Sequence, residues 1–133
     1  MDEDTKAFNE IMKAFSMPKI TDDEKKARSE AIQAATKYAC QVPLEVMKKA
    51  SSSLEFLETM IEKGNQNALT DVGVGVLCVN AAVHGTYMNV MVNAKGLKDR
   101  IFAEKIMTEA KNILAGTHQK ADELIAKVEN AIL

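Results

Sequence analysis

From Asp71 to Asn93 the chain reads Asp-Val-Gly-Val-Gly-Val-Leu-Cys-Val-Asn-Ala-Ala-Val-His-Gly-Thr-Tyr-Met-Asn-Val-Met-Val-Asn, with apolar or small residues all round and no single polar face. The opening Val-Gly-Val-Gly-Val alternates as a strand would, but the run is far longer than a strand and both flanks are periodic at helical spacing. The pattern therefore predicts a helix buried among other helices. Its length approaches that of a bilayer span, yet Asp71, Asn80, His84, Asn89 and Asn93 are spread through it, which argues against a membrane.

Other helices are predicted on either side. Residues 2–16 carry an apolar stripe of Phe8, Ile11, Met12 and Phe15, ended by Pro18. Thr21-Asp22-Asp23-Glu24 is a capping box, opening a helix through Ala27, Ala31, Ala34, Ala35 and Tyr38. At Pro43 that helix either kinks or gives way to a new one. Met47, Ala50, Leu54, Leu57 and Ile61 continue the spacing as far as a stop at Gly64. Thr70-Asp71 reads as the cap of the central helix and Asp99 as that of the last. The last helix carries Phe102, Ile106, Ile113, Ala121, Leu124, Val128 and Ile132, with Gly116 as a kink point. The fold class expected is all-α: an up-and-down bundle of four to five long helices around a buried central one. Gly73, Gly75 and Gly85 mark close approach to that central helix.

At 133 residues the chain is one domain, residues 1–133, with room for one core. A formal net charge of −2 leaves no basic footprint for nucleic acid. Cys40 and Cys78 lie among apolar residues without metal-ligand spacing, so both read as core thiols in a reducing compartment. The acidic start Met-Asp-Glu-Asp is no signal or transit sequence, and a cytoplasmic location is expected. So few helices cannot enclose an all-round apolar one, so its uncovered side predicts a homodimer or higher homo-oligomer.

Candidate chemistry is sparse. Asp4 shares a helical face with Phe8 and Ile11, while Asp2 falls opposite. An acid on that face either caps the first turn or is held there for chemistry. Asn65 and Asn67 sit in an amide-rich loop before Asp71. His84 reads as a hydrogen-bonded core histidine, and Asn89 and Asn93 as a C-terminal cap or an interhelical hydrogen bond. His84 and His118 are far apart in sequence, and no metal spacing is present.

Several ordered segments resemble the formimidoyltetrahydrofolate cyclodeaminase family: Asp2-Glu-Asp-Thr-Lys-Ala-Phe-Asn9, Met17-Pro-Lys19, Val42-Pro-Leu44, Gly64-Asn-Gln-Asn67, Thr70-Asp-Val-Gly-Val-Gly75 and Gly85-Thr-Tyr-Met-Asn-Val-Met-Val-Asn93. The family's preceding segment, with its Pro-Gly-Gly-Gly-Ser type of turn, has no counterpart, so the domain reads as shortened at its amino terminus. The resemblance implies a cytoplasmic lyase of one-carbon metabolism linked to histidine degradation. Its substrate is a tetrahydrofolate, with no prosthetic group and no metal, and its partner is a formiminotransferase domain or subunit. Alternatives in view are a methenyltetrahydrofolate cyclohydrolase of the same family and a non-catalytic helical subunit or fragment. The resemblance places the catalytic acid in the Asp2–Asp4 stretch, and helical phase selects Asp4. Asn65, Asn67 and Asp71, then His84, Asn89 and Asn93, are candidates for substrate hydrogen bonds. Lys95 and Arg100 are candidates for the acidic tail of the folate. No nucleic-acid or membrane partner is expected.

Overall fold

The computed structural model describes residues 2–133. The described residues form α1 (Asp2–Phe15), α2 (Asp22–Ser52), α3 (Leu54–Lys63), a 3-10 turn (Gln66–Ala68), α4 (Leu69–Lys95) and α5 (Arg100–Ile132), with no strand among them. α4 packs between α2 and α5; α1 lies on α2, and α3 closes the end where α4 begins. The main core joins Met47 of α2, Val83 and Val90 of α4, and Ile106 and Ala110 of α5. A second core joins Leu54, Val76 and Leu124 beside α3.

Local chemistry sets most boundaries as the residue pattern requires. The Thr21 hydroxyl accepts from the Glu24 amide at 3.2 Å, and Glu24 Oε2 accepts from the Thr21 and Ile20 amides at 3.0 and 2.9 Å. Those backbone donors hold the Glu24 carboxyl below the usual carboxylate range. α1 stops where Arg28 donates to the Phe15 carbonyl at 3.1 Å and covers the Phe15 ring. α3 ends at Gly64, where a Cβ would stand 2.2 Å from the Met60 carbonyl oxygen, so only glycine fits. Asp99 caps α5 by accepting from the Phe102 amide at 3.0 Å, and Lys37 pairs with it at 2.6 Å. Across the α3–α5 seam, Glu58 accepts from both Lys120 and Lys127, which hold its carboxyl down at about 2.

Several boundaries differ from the expectation. The long α2 passes straight through Pro43 and breaks instead at Ser53, whose hydroxyl bonds the Ala50 carbonyl at 2.6 Å. α4 starts at Leu69 without a side-chain cap, so Thr70-Asp71 lie inside its first turn. Asn65 caps the preceding 3-10 turn instead, accepting from the Asn67 amide at 3.0 Å. On α1 the buried residues are Ala7 and Ala14, while Phe8, Met12 and Phe15 are more than half exposed. Small side chains win there because Ala7 must approach Ala39 and Val42 of α2 closely.

α4 is covered on one side only. Val76, Val83 and Val90 are fully buried, whereas Val74, Leu77, Met88 and Val92 form an exposed stripe with Cys78 and Ala81. Cys78 is therefore a surface thiol rather than a core residue. Cys40 is buried, which pushes its thiol up to about 11. Gly73 and Gly75 do mark close approach, by Val128 and Leu57 at 3.3 Å from a notional Cβ, but Gly85 meets nothing within 4 Å. By length and composition Gln66–Lys95 would suffice to cross a membrane, with 28% of its most apolar window buried in the fold. Length and composition are weak grounds, since the core helix of a globular fold meets the same test.

How α2 survives Pro43 is a matter of hydrogen-bond supply. Proline has no N–H, so the Ala39 carbonyl one turn earlier loses its helical donor inside a buried seam. Asn93 of α4 replaces it, its Nδ2 donating to the Ala39 oxygen at 2.8 Å. Asn93→Ala should therefore cost about 1–3 kcal/mol, the penalty for a buried unpaired acceptor. In a Pro43→Ala background, where residue 43 regains its N–H, the same change should cost clearly less. Urea denaturation of the four proteins measures this coupling, and equal costs in both backgrounds would refute it.

Candidate functional site

The Asn93–Ala39 contact forms the floor of a cavity of about 380 Å³ between α1, α2 and α4. Asp4, Phe8 and Ile11 of α1, Ala39 and Pro43 of α2, and Asn89, Val92 and Asn93 of α4 line it. Three of the candidate residues are thereby brought together: Asp4, Asn89 and Asn93.

Asp4 reaches this cavity by a different route from the one expected. Its helix does not bury the Phe8 stripe; it buries Ala7 and Ala14, with Ile11 half-buried. At 100° per residue Asp4 lies about 60° round from Ala7, on the flank of the buried face. It is exposed, at the rim of the cavity, and lies in the first turn of α1 beside Asp2 and Glu3, where the helix dipole favours negative charge. Asn93 spends one amide hydrogen on Ala39 and retains its amide oxygen and a second hydrogen. Asn89, one turn earlier, is exposed on the same wall. The lining thus offers a carboxylate acceptor opposite two carboxamides, set against Phe8, Ile11 and Val92. Such a lining combines hydrogen-bond donors and acceptors with apolar walls.

The remaining candidates lie elsewhere. Lys95 and Arg100 line a neighbouring groove of about 400 Å³ with Met91, Met107 and Lys111, round α4 from Asn89. Asn65, Asn67 and Asp71 belong to the opposite end of α4. Asp71 and Asn93 are 22 residues apart on one helix, so about 33 Å separates them, and the three cannot join Asp4 within one chain. His84 is exposed rather than a core histidine, and its ring meets that of His118, with centroids 5.3 Å apart. The two histidines, distant in sequence, are neighbours because α4 and α5 run antiparallel. The walls supplied by Ala39, Pro43 and Val92 were not among the expected residues. Pro43 within a helical pattern signalled an orphan carbonyl, but nothing in the pattern named Asn93 as its donor. No cluster of three or more His, Cys, Asp or Glu suited to a metal occurs among the described residues.

Comparison with known proteins bears on this geometry. The profile of the formiminotransferase-cyclodeaminase family matches residues 1–112. A methenyltetrahydrofolate cyclohydrolase from Methylorubrum extorquens is 43% identical over 113 residues, which are 85% of this chain and 54% of that protein. A formimidoyltransferase-cyclodeaminase from Gallus gallus is 32% identical over 123 residues, 92% of this chain and 22% of that one. The chain thus spans about half of the first relative's length and under a quarter of the second's. Among solved structures, the formiminotetrahydrofolate cyclodeaminase of Thermotoga maritima superposes with a TM-score of 0.81 at 24% identity, covering 98% of this chain and 61% of that one. At that identity the likeness speaks for the helical fold alone. With the family profile spanning most of its length, this chain belongs to the formiminotransferase-cyclodeaminase family.

Proposed function

We propose that this chain closes the one-carbon ring of 5-formimidoyltetrahydrofolate, yielding 5,10-methenyltetrahydrofolate and ammonia, with Asp4 as the proton-transfer group. The observation that carries this reading is the meeting of Asp4, Asn89 and Asn93 on one cavity. In the protonated amidine carried on N5, N10 attacks the amidine carbon and forms the new C–N10 bond. N10 then loses its proton, the amino nitrogen gains it, and the C–N bond to that nitrogen breaks as ammonia departs. One carboxylate suffices to take the first proton and return it, and its charge favours the cationic product. Asn89 and Asn93 present amide groups to the ring edge, so that N5 and N10 are held in closing geometry. Lys95 and Arg100, in the adjoining groove, are assigned the acidic tail. Asn65, Asn67 and Asp71 receive no role within one chain, because of the distance along α4.

A second reading is hydrolysis of 5,10-methenyltetrahydrofolate at the same carbon, favoured by the 43% identity to the Methylorubrum cyclohydrolase. There Asp4 would activate water instead of relaying a proton between nitrogens. Assays of ammonia release and of methenyl consumption separate the two. In either case 5-formyltetrahydrofolate should raise the melting temperature saturably, and Asp4→Asn should keep that stabilisation while losing about 100-fold or more in turnover. Unchanged turnover in the variant, or a folded chain that ignores the ligand, would overturn the reading. A cytoplasmic setting, a link to histidine degradation and a formiminotransferase partner supplying the substrate accompany the first reading.

The exposed stripe of α4 supports self-association. Val74 to Val92 run about 27 Å along the helix, with the small Ala81 and Gly85 near the middle and larger apolar residues to either side. That arrangement is self-complementary about a two-fold axis, and a second copy is assigned to cover it. Sedimentation equilibrium at micromolar concentration should give a dimer that Leu77→Glu converts to monomer. A wild-type monomer would contradict the assignment.

A further inference from the structure

On the α4–α5 seam, away from the Asp4 cavity, two polar atoms are buried without a hydrogen-bond partner: Nε2 of His118 and Oδ1 of Asn80. Buried polar atoms nearly always have partners, so each orphan needs an explanation. Asn80 and His84 stand one turn apart on the same face of α4. The His84 ring meets the His118 ring with centroids 5.3 Å apart and planes inclined at 53°. Tyr87 meets the His84 ring edge-on, with centroids 6.4 Å apart.

We propose that His84 and His118 form a two-imidazole site for a borderline divalent metal ion of the zinc, nickel and copper group. Two imidazoles on one tetrahedral ion, with metal–nitrogen distances of about 2.0–2.1 Å, hold their ring centres roughly 5 Å apart. The observed 5.3 Å between ring centres matches that spacing. His118 Nε2 supplies a ligand atom with no competing hydrogen bond, and exposed His84 provides both the second ligand and the path of entry. No cluster of three or more His, Cys, Asp or Glu forms among the described residues, so water fills the remaining positions. Asn80 Oδ1, one helical turn from His84, is assigned to accept from a metal-bound water, which would account for the second orphan. Imidazole donors favour this group of metals over calcium and magnesium, which require oxygen ligands. The ion would clip α4 to α5, and it is independent of the folate reading.

The test is calorimetric titration of the untagged, metal-stripped chain with zinc chloride and nickel chloride, with thermal melts alongside. One equivalent per chain should bind and raise the melting temperature, and calcium and magnesium should do neither. His84→Ala and His118→Ala should each abolish binding, while Cys78→Ser should leave it intact. With cupric ion, paramagnetic resonance should show coupling to two imidazole nitrogens. Should His118→Ala fail to fold, exposed His84→Ala alone decides. The proposal is overturned by the absence of saturable binding, by binding that survives loss of His84, or by binding that disappears in Cys78→Ser.

Discussion

One hydrogen bond ties the architecture to the site: the donation from Asn93 to the carbonyl of Ala39. α2 is a 31-residue helix with a proline in its interior, and it is continuous because α4 lends it a donor where proline has none. The same contact fixes α4 against α2 at the level where α1 crosses. It also leaves a space beside Pro43 that no side chain fills. A helix defect, its repair and a ligand-sized hollow thus share three residues: Ala39, Pro43 and Asn93.

The second constraint is the composition of α4. A helix apolar on every side must find neighbours on every side, and α2, α3 and α5 supply only part of them. Val76, Val83 and Val90 are satisfied by the cores on the inner side; Val74, Leu77, Met88 and Val92 are not. The turn after α4 is fastened firmly. Gln33 accepts from the Lys98 amide at 2.6 Å and donates to the Gly96 carbonyl at 3.2 Å, and Lys98 reaches Ser29 at 2.8 Å. The carboxy-terminal half of α4 is therefore held on its inner face, next to both the Asp4 cavity and the Lys95–Arg100 groove.

Much of this was legible in the residues. The Thr21–Glu24 box, the stop at Gly64 and the cap at Asp99 act over three or four residues, and local chemistry decides them. Family likeness marked the Asp2–Asp4 stretch and the run ending in Asn93, and the fold joins them. What escaped the pattern depended on tertiary partners. The stripe of Phe8, Met12 and Phe15 is the more apolar face of α1, yet close packing against Ala39 and Val42 selects the alanines. The break at Ser53 rather than Pro43 depends on a donor 50 residues away from that proline, and periodicity carries no trace of it. Asn65, Asn67 and Asp71 were grouped with the site by resemblance, whereas the length of α4 sets them at its far end. The His84–His118 contact is a product of antiparallel packing, invisible in a spacing of 34 positions.

Reduced folate is proposed to be received where α1, α2 and α4 meet. Heteronuclear NMR of the asparagine side-chain amides during titration with 5-formyltetrahydrofolate addresses it most directly. Saturable shifts are expected at Asn89 and Asn93 and in the backbone around Asp4, with Asn65 and Asn67 unmoved. Shifts centred on Asn65, Asn67 and Asp71, or none at all in the folded chain, would contradict it.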